Sequence, residues 1–200
     1  MKKNLFYLGS LVILSAFLMS ATMKKQKPVT LNVNTSISKI GWLGKKVVGQ
    51  HSGQISIKSG QVTLQEGKIT GGMFSIDMNT ITCDDLKGEY NAKLIGHLKS
   101  DDFFGSEKFP TADFKITSVK YIGKTNAQIT GDLTIKGITH ALTFPTDVTP
   151  GKNNVHAKAT IKVDRTKYDI KYGSGSFFDN LGDKAIENEF TLTVNLHAGM

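Results

Sequence analysis

The chain has 200 residues, a net charge of +8 from 25 Lys and Arg against 17 Asp and Glu, and a single cysteine. That length fits one domain, and one cysteine excludes an intrachain disulfide framework. The lysines are dispersed, with no basic cluster interleaved with aromatics, which excludes a nucleic-acid surface and leaves a solvated face with weak attraction to anionic lipid headgroups.

Residues 1–22 stand apart from the rest. Lys2 and Lys3 precede an apolar run from Leu5 to Met19, and Ser20, Ala21 and Thr22 supply small residues near a cleavage point. This is the pattern of a secretory signal peptide, with a retained N-terminal anchor as the alternative. Cys83 is the only cysteine, so the cleavage point lacks the residue a lipoprotein needs. The expectation is a periplasmic or secreted protein whose single domain occupies 23–200. Losing Lys2 and Lys3 takes the net charge from +8 to +6.

After a short tether at Lys24–Pro28, period-2 alternation dominates, as half-buried strands require. Val29, Leu31 and Val33 read as a first strand, Ile37–Lys45 with Trp42 as a second, and Val47–Ile57 as a third. Ser59-Gly60 and Glu66-Gly67 read as turns around a strand with Val62 and Leu64, and Ile69–Met78 carries Phe74 and Ile76 on one face. The period then changes. Leu86, Tyr90, Leu94 and Leu98 recur every four residues, an apolar helical stripe, and Thr82-x-x-Asp85 has the form of a capping box. Phe103 and Phe104 follow. Adjacent side chains diverge in any regular element, so both are buried only if the chain turns there, with Gly105 and Pro110 shaping the turn. The helix either closes the core or lids a cavity.

Strand readings resume at Phe114–Tyr121, Ala127–Lys136, His140–Val148, Val155–Val163 and Phe190–Leu196. Between the last two lies a long aromatic loop, Asp164 to Ile186, and loops of that length in compact domains tend to be functional. About eight strands with one apolar face each and a single main helix predict an all-β fold, a closed antiparallel barrel of lipocalin-like type with the helix packed at an end. A sandwich is the competitor. Closure removes sheet edges, and at about eight strands the interior just holds one small ligand.

No nucleophile elbow, phosphate loop or dinucleotide fingerprint is present; Gly173-x-Gly175 lacks the third glycine and the helix. The five histidines (His51, His97, His140, His156, His197) are scattered without metal-ligand spacing. Neither a metal, a cofactor nor a catalytic residue is expected. Arg165, after Asp164, is suited either to a ligand carboxylate or phosphate or to tying the long loop down through Asp179 or Asp183. Cys83, beside two aspartates, reads as structural.

Several stretches in this order resemble the YceI-like family of exported, lipocalin-like proteins associated with polyisoprenoid or other amphiphile binding. They are Trp42-x-Gly44 with His51-x-Gly53, Gly71-Gly72-Met73-Phe74-Ser75-Ile76-Asp77-Met78, and Leu94-x-x-His97-Leu98-Lys99-Ser100-Asp101-Asp102-Phe103-Phe104 with Phe109-Pro110. Gly131-Asp132-Leu133-Thr134-Ile135-Lys136-Gly137-Ile138-Thr139 and Val163-Asp164-Arg165-Thr166-Lys167-Tyr168 complete the set. The resemblance implies an extended barrel with an apolar internal channel. Asp169 departs from it, standing where a glycine often follows, and the Gly173–Phe178 stretch is also distinctive.

The expected partner is therefore a long-chain apolar or amphiphilic molecule such as an isoprenoid, isoprenoid quinone or fatty-acid-like lipid, held without being transformed. The expected lining is Trp42, Phe74, Ile76, Phe103, Phe104, Phe109, Phe114, Leu133 and Phe144, with Phe177 and Phe178 at the mouth. His51, His97 and Arg165 are the expected polar anchors, the plainer reading of both histidines being a backbone hydrogen bond in the core. A filled barrel serving as an interaction module is the alternative, and an enzyme on lipid substrates a further one. The oligomeric state stays open, a homodimer included.

Overall fold

The computed structural model describes residues 26–200; the expected leader at 1–22 lies outside them. Nine strands and one α-helix follow in the order β1 (Val29–Asn32), β2 (Lys39–Lys45), β3 (Gln50–Gln65), β4 (Lys68–Asp77), α1 (Gly88–Lys99), β5 (Thr111–Tyr121), β6 (Asn126–Ile135), β7 (Ile138–Pro150), β8 (Asn154–Asp164) and β9 (Glu189–Gly199). The sheet runs β1-β3-β2-β9-β8-β7-β6-β5-β4, and β4 pairs back onto β3 to close it. β2 pairs with Gln50–Ile55 and β1 with Gln61–Leu64, both on the same side of β3, so the two short strands share one place in an eight-stranded antiparallel barrel.

Local chemistry sets the meander. Glu66-Gly67 and Lys136-Gly137 join β3 to β4 and β6 to β7, and all four residues have positive φ, from 50° to 74°. Two-residue loops of that conformation match the right-handed twist of the flanking strands. Inward positions then alternate: Ile129 and Leu133 on β6, Phe144, Thr146 and Val148 on β7, and Val155, Ala157, Ile161 and Val163 on β8 are all buried.

Ser59-Gly60, expected as a turn, lies instead inside one continuous 16-residue strand. The register slips between Ile57 and Ser59, so buried Ile57 is followed by buried Val62 with the inward parity reversed. One extra residue in a strand does this while bending it. A Cβ at Gly60 would lie 2.9 Å from both Phe74 and Val33 side-chain carbons, so the glycine marks a close approach, not a reversal. A second slip between Ile116 and Ser118 resets β5 in the same way.

The helix differs too. It starts at Gly88, after Lys87, which makes no side-chain cap, so the Thr82–Asp85 capping box is not formed. None of its residues is fully buried, and Tyr90 is 74% exposed, so the four-residue stripe is only half sunk. Its end is better held than its start: Ser100 N–H donates to Gly96 O at 3.0 Å, Phe104 N–H to Leu98 O at 3.1 Å and Gly105 N–H to Ser100 O at 2.8 Å. That tight return, with Gly105 at φ 54°, turns Phe103 (7% exposed) into the barrel and half-buries Phe104 beside it.

Candidate functional site: an apolar channel under a strap and a helix

Where β4 ends at Asp77, the first half of β3 loses its partner on that side, and its backbone groups need others. The segment Met78–Asp85 supplies them as an improvised strand. Thr80 Oγ1 accepts from Ser56 N–H at 2.9 Å, Thr82 Oγ1 from Gln54 N–H at 3.3 Å and Asp85 Oδ1 from Ser52 N–H at 2.8 Å. In return, Thr82 and Asp84 N–H donate to Gln54 O and Ser52 O at 2.9 and 2.8 Å. The two oxygens read as a helix cap thus complete a strand edge. Trp42 Nε1 donates to Thr82 O at 2.9 Å, pinning the strap over the barrel end. A Cβ at Gly53 would sit 1.9 Å from that carbonyl oxygen, so only glycine lets the strap approach.

His51 Nδ1 and Asp85 Oδ2 are 2.7 Å apart and clamp the end of the strap. The Ser52 N–H, and then His51, hold the Asp85 carboxyl down to a pKa of about 2. A carboxylate depressed on folding stabilises the native state above its ordinary range and loses that contribution as pH falls through the folded value. The strap is therefore expected to loosen between about pH 4 and pH 2, by about 1 kcal/mol given the exposed setting. Trp42 is the only tryptophan, so its emission should shift to the red across that interval in the wild type. Asp85→Asn should start red-shifted and stay flat; a flat wild-type trace would remove the clamp from the account.

The long loop is tied from within. Arg165 is 3% exposed; its Nε donates to Glu187 O at 3.0 Å, Nη1 to Ile170 O at 2.7 Å and Tyr172 O at 2.9 Å, and Nη2 to Ile186 O at 3.0 Å. Loop anchoring is thus achieved through four backbone carbonyls and not through Asp179 or Asp183. Burial works against the guanidinium charge and lowers its pKa. The guanidinium carbon stands 5.9 Å from the Phe103 ring centre. His97 meets Phe103 and Tyr172 edge-on at 4.9 and 4.5 Å, latching the helix to the loop. Asp169, the position departing from the family pattern, is left-handed at φ 57°, the conformation that favours glycine.

Inside are two apolar lobes along the barrel. The helix-end lobe, about 140 Å³, is walled by Trp42, Met78, Ile81, Leu98, Phe103, Phe104 and Phe190, with Arg165 at its edge. The deep lobe, about 130 Å³, is walled by Phe74, Phe114 and Phe144 among aliphatic side chains. Ile40, Ile76, Leu133 and Leu192 border both and form a waist. Among the aromatics, Phe74–Phe114 and Phe114–Phe144 ring centres are 6.4 and 5.6 Å apart.

Of the residues expected to line the channel, Trp42, Phe74, Ile76, Phe103, Phe104, Phe114, Leu133 and Phe144 border the two lobes. Phe109 does not; it fills space beside Gly105 and Gly137. Phe177 and Phe178 are 49% and 50% exposed on the long loop. His51 and His97 face Asp85 and the Phe103–Tyr172 pair, not the channel wall. Phe190 and Leu192 were missed, although β9 parity points them inward; Met78 and Ile81 lie on a segment without periodicity. Among the described residues, no three His, Cys, Asp or Glu side chains converge as a metal site would need.

A closed antiparallel barrel with a carbon-lined channel defines the lipocalin-like class of architecture. Within it the chain belongs to the YceI family: the YceI-like domain model matches residues 27–198. A UPF0312 protein of Shewanella denitrificans is 38% identical over 77 residues, which is 38% of this chain and 38% of that protein, so the match spans well under half of the relative. A UPF0312 protein of Vibrio parahaemolyticus is 27% identical over 187 residues, 90% of this chain and 95% of its own. Among solved structures, Burkholderia cenocepacia BcnA aligns with a TM-score of 0.67 at 21% identity, over 83% of this chain and 99% of its own. A polyisoprenoid binding domain from Saccharophagus degradans, implicated in plant cell wall breakdown, aligns with a TM-score of 0.63 at 10% identity, over 86% and 99%. At these identities the structures speak for the fold.

Proposed function

We propose that this protein carries a long apolar or amphiphilic molecule, an isoprenoid or a fatty chain, inside its barrel without transforming it. The observation that supports this reading is the two-lobed channel whose walls are built almost wholly from carbon. A core needing only stability would close on itself, since packed interiors leave few voids larger than a water molecule. Burying each ligand methylene contributes about 0.8 kcal/mol, and micromolar affinity needs about 8 kcal/mol net. About a dozen or more buried carbons meet that after ordering costs; a sugar or an amino acid does not. The polyisoprenoid named for the Saccharophagus domain is a ligand of this kind.

Transfer has a route. Ile186 borders the helix-end lobe, and Val47 N–H donates to Ala185 O beside it at 3.0 Å. Val47 and Val48, both about two thirds exposed, lie beside this edge and offer an apolar patch suited to brief contact with a lipid surface. The carrier works outside the cytoplasm in this reading, supported by the leader pattern at 1–22.

The test is mass spectrometry of an organic extract from protein purified out of its native envelope, beside a matched control, with the N-terminal residue read on the same sample. A stoichiometric long-chain species and a cleaved leader are expected. Phe104→Ala, which opens the helix-end lobe, should cut ligand retention tenfold or more while costing no more than about 2 kcal/mol of stability, because Phe104 is only half-buried. Equal loss of both would leave Phe104 a core residue only.

A further inference from the structure

The deep lobe holds one chemical exception. Thr146 lies on its wall, is 5% exposed, and its Oγ1 is the buried side-chain polar atom without a hydrogen-bond partner among the described residues. Its neighbours on the inward face of the strand are apolar, while Asp147 points outward to Asn126. Phe144 precedes it on the same face, and Val148, 1% exposed, follows at the closed end, where Val155, Ala198 and Ala127 are sealed at 1–2%. The register puts Thr146 opposite Ala127 on β6 and Ala159 on β8, and neither side chain offers an acceptor. A valine here would have nearly the same shape and no penalty. An unpaired hydroxyl in such a place leaves its lost hydration uncompensated in the folded protein, and buried polar groups normally have partners.

We infer that Thr146 is a headgroup subsite: it hydrogen-bonds a neutral oxygen, a carbonyl or hydroxyl, at the innermost end of the bound chain. This rests on the carrier reading of the channel and sharpens it. The ligand enters polar end first, and its hydrocarbon tail passes the Ile40–Ile76–Leu133–Leu192 waist toward the helix. The oxygen is neutral because, among the described residues, the one charged side chain bordering the lobe is Lys158, which is exposed on the other face of β8. A carboxylate or phosphate there would be buried without a counter-charge, which is far more costly than burying a ketone.

The test compares 2-tridecanone with n-tridecane, equal in chain length and differing by one oxygen, as competitors of N-phenyl-1-naphthylamine bound to the full-length mature protein. Wild type should prefer the ketone. Thr146→Val, which keeps the wall intact, should weaken ketone binding about tenfold, the worth of one buried hydrogen bond, and leave the alkane within twofold. Thr146→Ser should keep the ketone preference. An unchanged ketone-to-alkane ratio in Thr146→Val overturns the subsite while the carrier reading stands. Failure of wild type to take either probe overturns both.

Discussion

Gly53→Ala is expected to destabilise the protein by about 3 kcal/mol, the upper end of ordinary overpacking penalties. The added Cβ would lie 1.9 Å from Thr82 O, 2.7 Å from Thr82 C and 2.8 Å from Trp42 Nε1. Backbone atoms of the strap cannot swing aside as a flexible side chain would, so either β3 bends or the strap lifts. Lifting breaks the Trp42–Thr82 bond and the ladder from Thr80, Thr82 and Asp85 together. A lower denaturation midpoint and red-shifted Trp42 emission should therefore appear together. Gly44→Ala serves as control, since a Cβ there meets nothing within 4 Å, and should stay within about 0.5 kcal/mol of wild type. A Gly53→Ala protein with wild-type midpoint and emission would mean that the strap does not depend on close approach to β3.

Arg165→Met should cost about 4 kcal/mol. The side chain is retained in bulk, but the carbonyls of Ile170, Tyr172, Ile186 and Glu187 lose their donor together. Each buried acceptor left unpaired costs about 1–3 kcal/mol, reduced where water can reach it. The loss should be local before it is global. Hydrogen exchange should accelerate at the Ile186 amide, which donates to Gly173 O at 2.7 Å, and at the Ile170 amide, which donates to Arg165 O. Arg165→Lys should recover less than half of the stability, because an ammonium on a flexible stem cannot replicate the planar fork. A Met variant with wild-type midpoint and protected Ile170 and Ile186 amides would show that the loop holds itself. Because the loop carries Tyr172 against His97 and Phe103, its release should also loosen the helix-end lobe.

The barrel was legible because its cause is local. Period-2 alternation in Val155–Val163 and Phe190–Leu196 can bury one face only in a sheet, and glycine-bearing turns such as Glu66-Gly67 can join adjacent strands only as hairpins. Phe74, Phe114, Leu133 and Phe144 could be assigned to the wall from the same alternation. The pattern failed where backbone pairing and side-chain chemistry trade places. Ser59-Gly60 has turn composition, yet its environment is a bulged strand whose glycine makes room for Phe74 and Val33. Thr82 and Asp85 have capping spacing, yet the free N–H groups nearest them belong to β3, some 28 to 33 residues away in sequence.

By itself, then, the sequence determined the class of fold, the single helix, the Glu66-Gly67 turn and the supply of inward apolar residues, since each follows from spacing along a few residues. Only the tertiary structure decided that those residues enclose two lobes joined at a waist. It alone showed that Arg165 spends its donors on loop carbonyls, that His51 clamps a strap, and that Thr146 is left without a partner at the closed end. The physical reason is the same in each case. A hydrogen bond, a void or an unpaired hydroxyl is a property of groups brought together from distant parts of the chain, and no local period records which groups will meet.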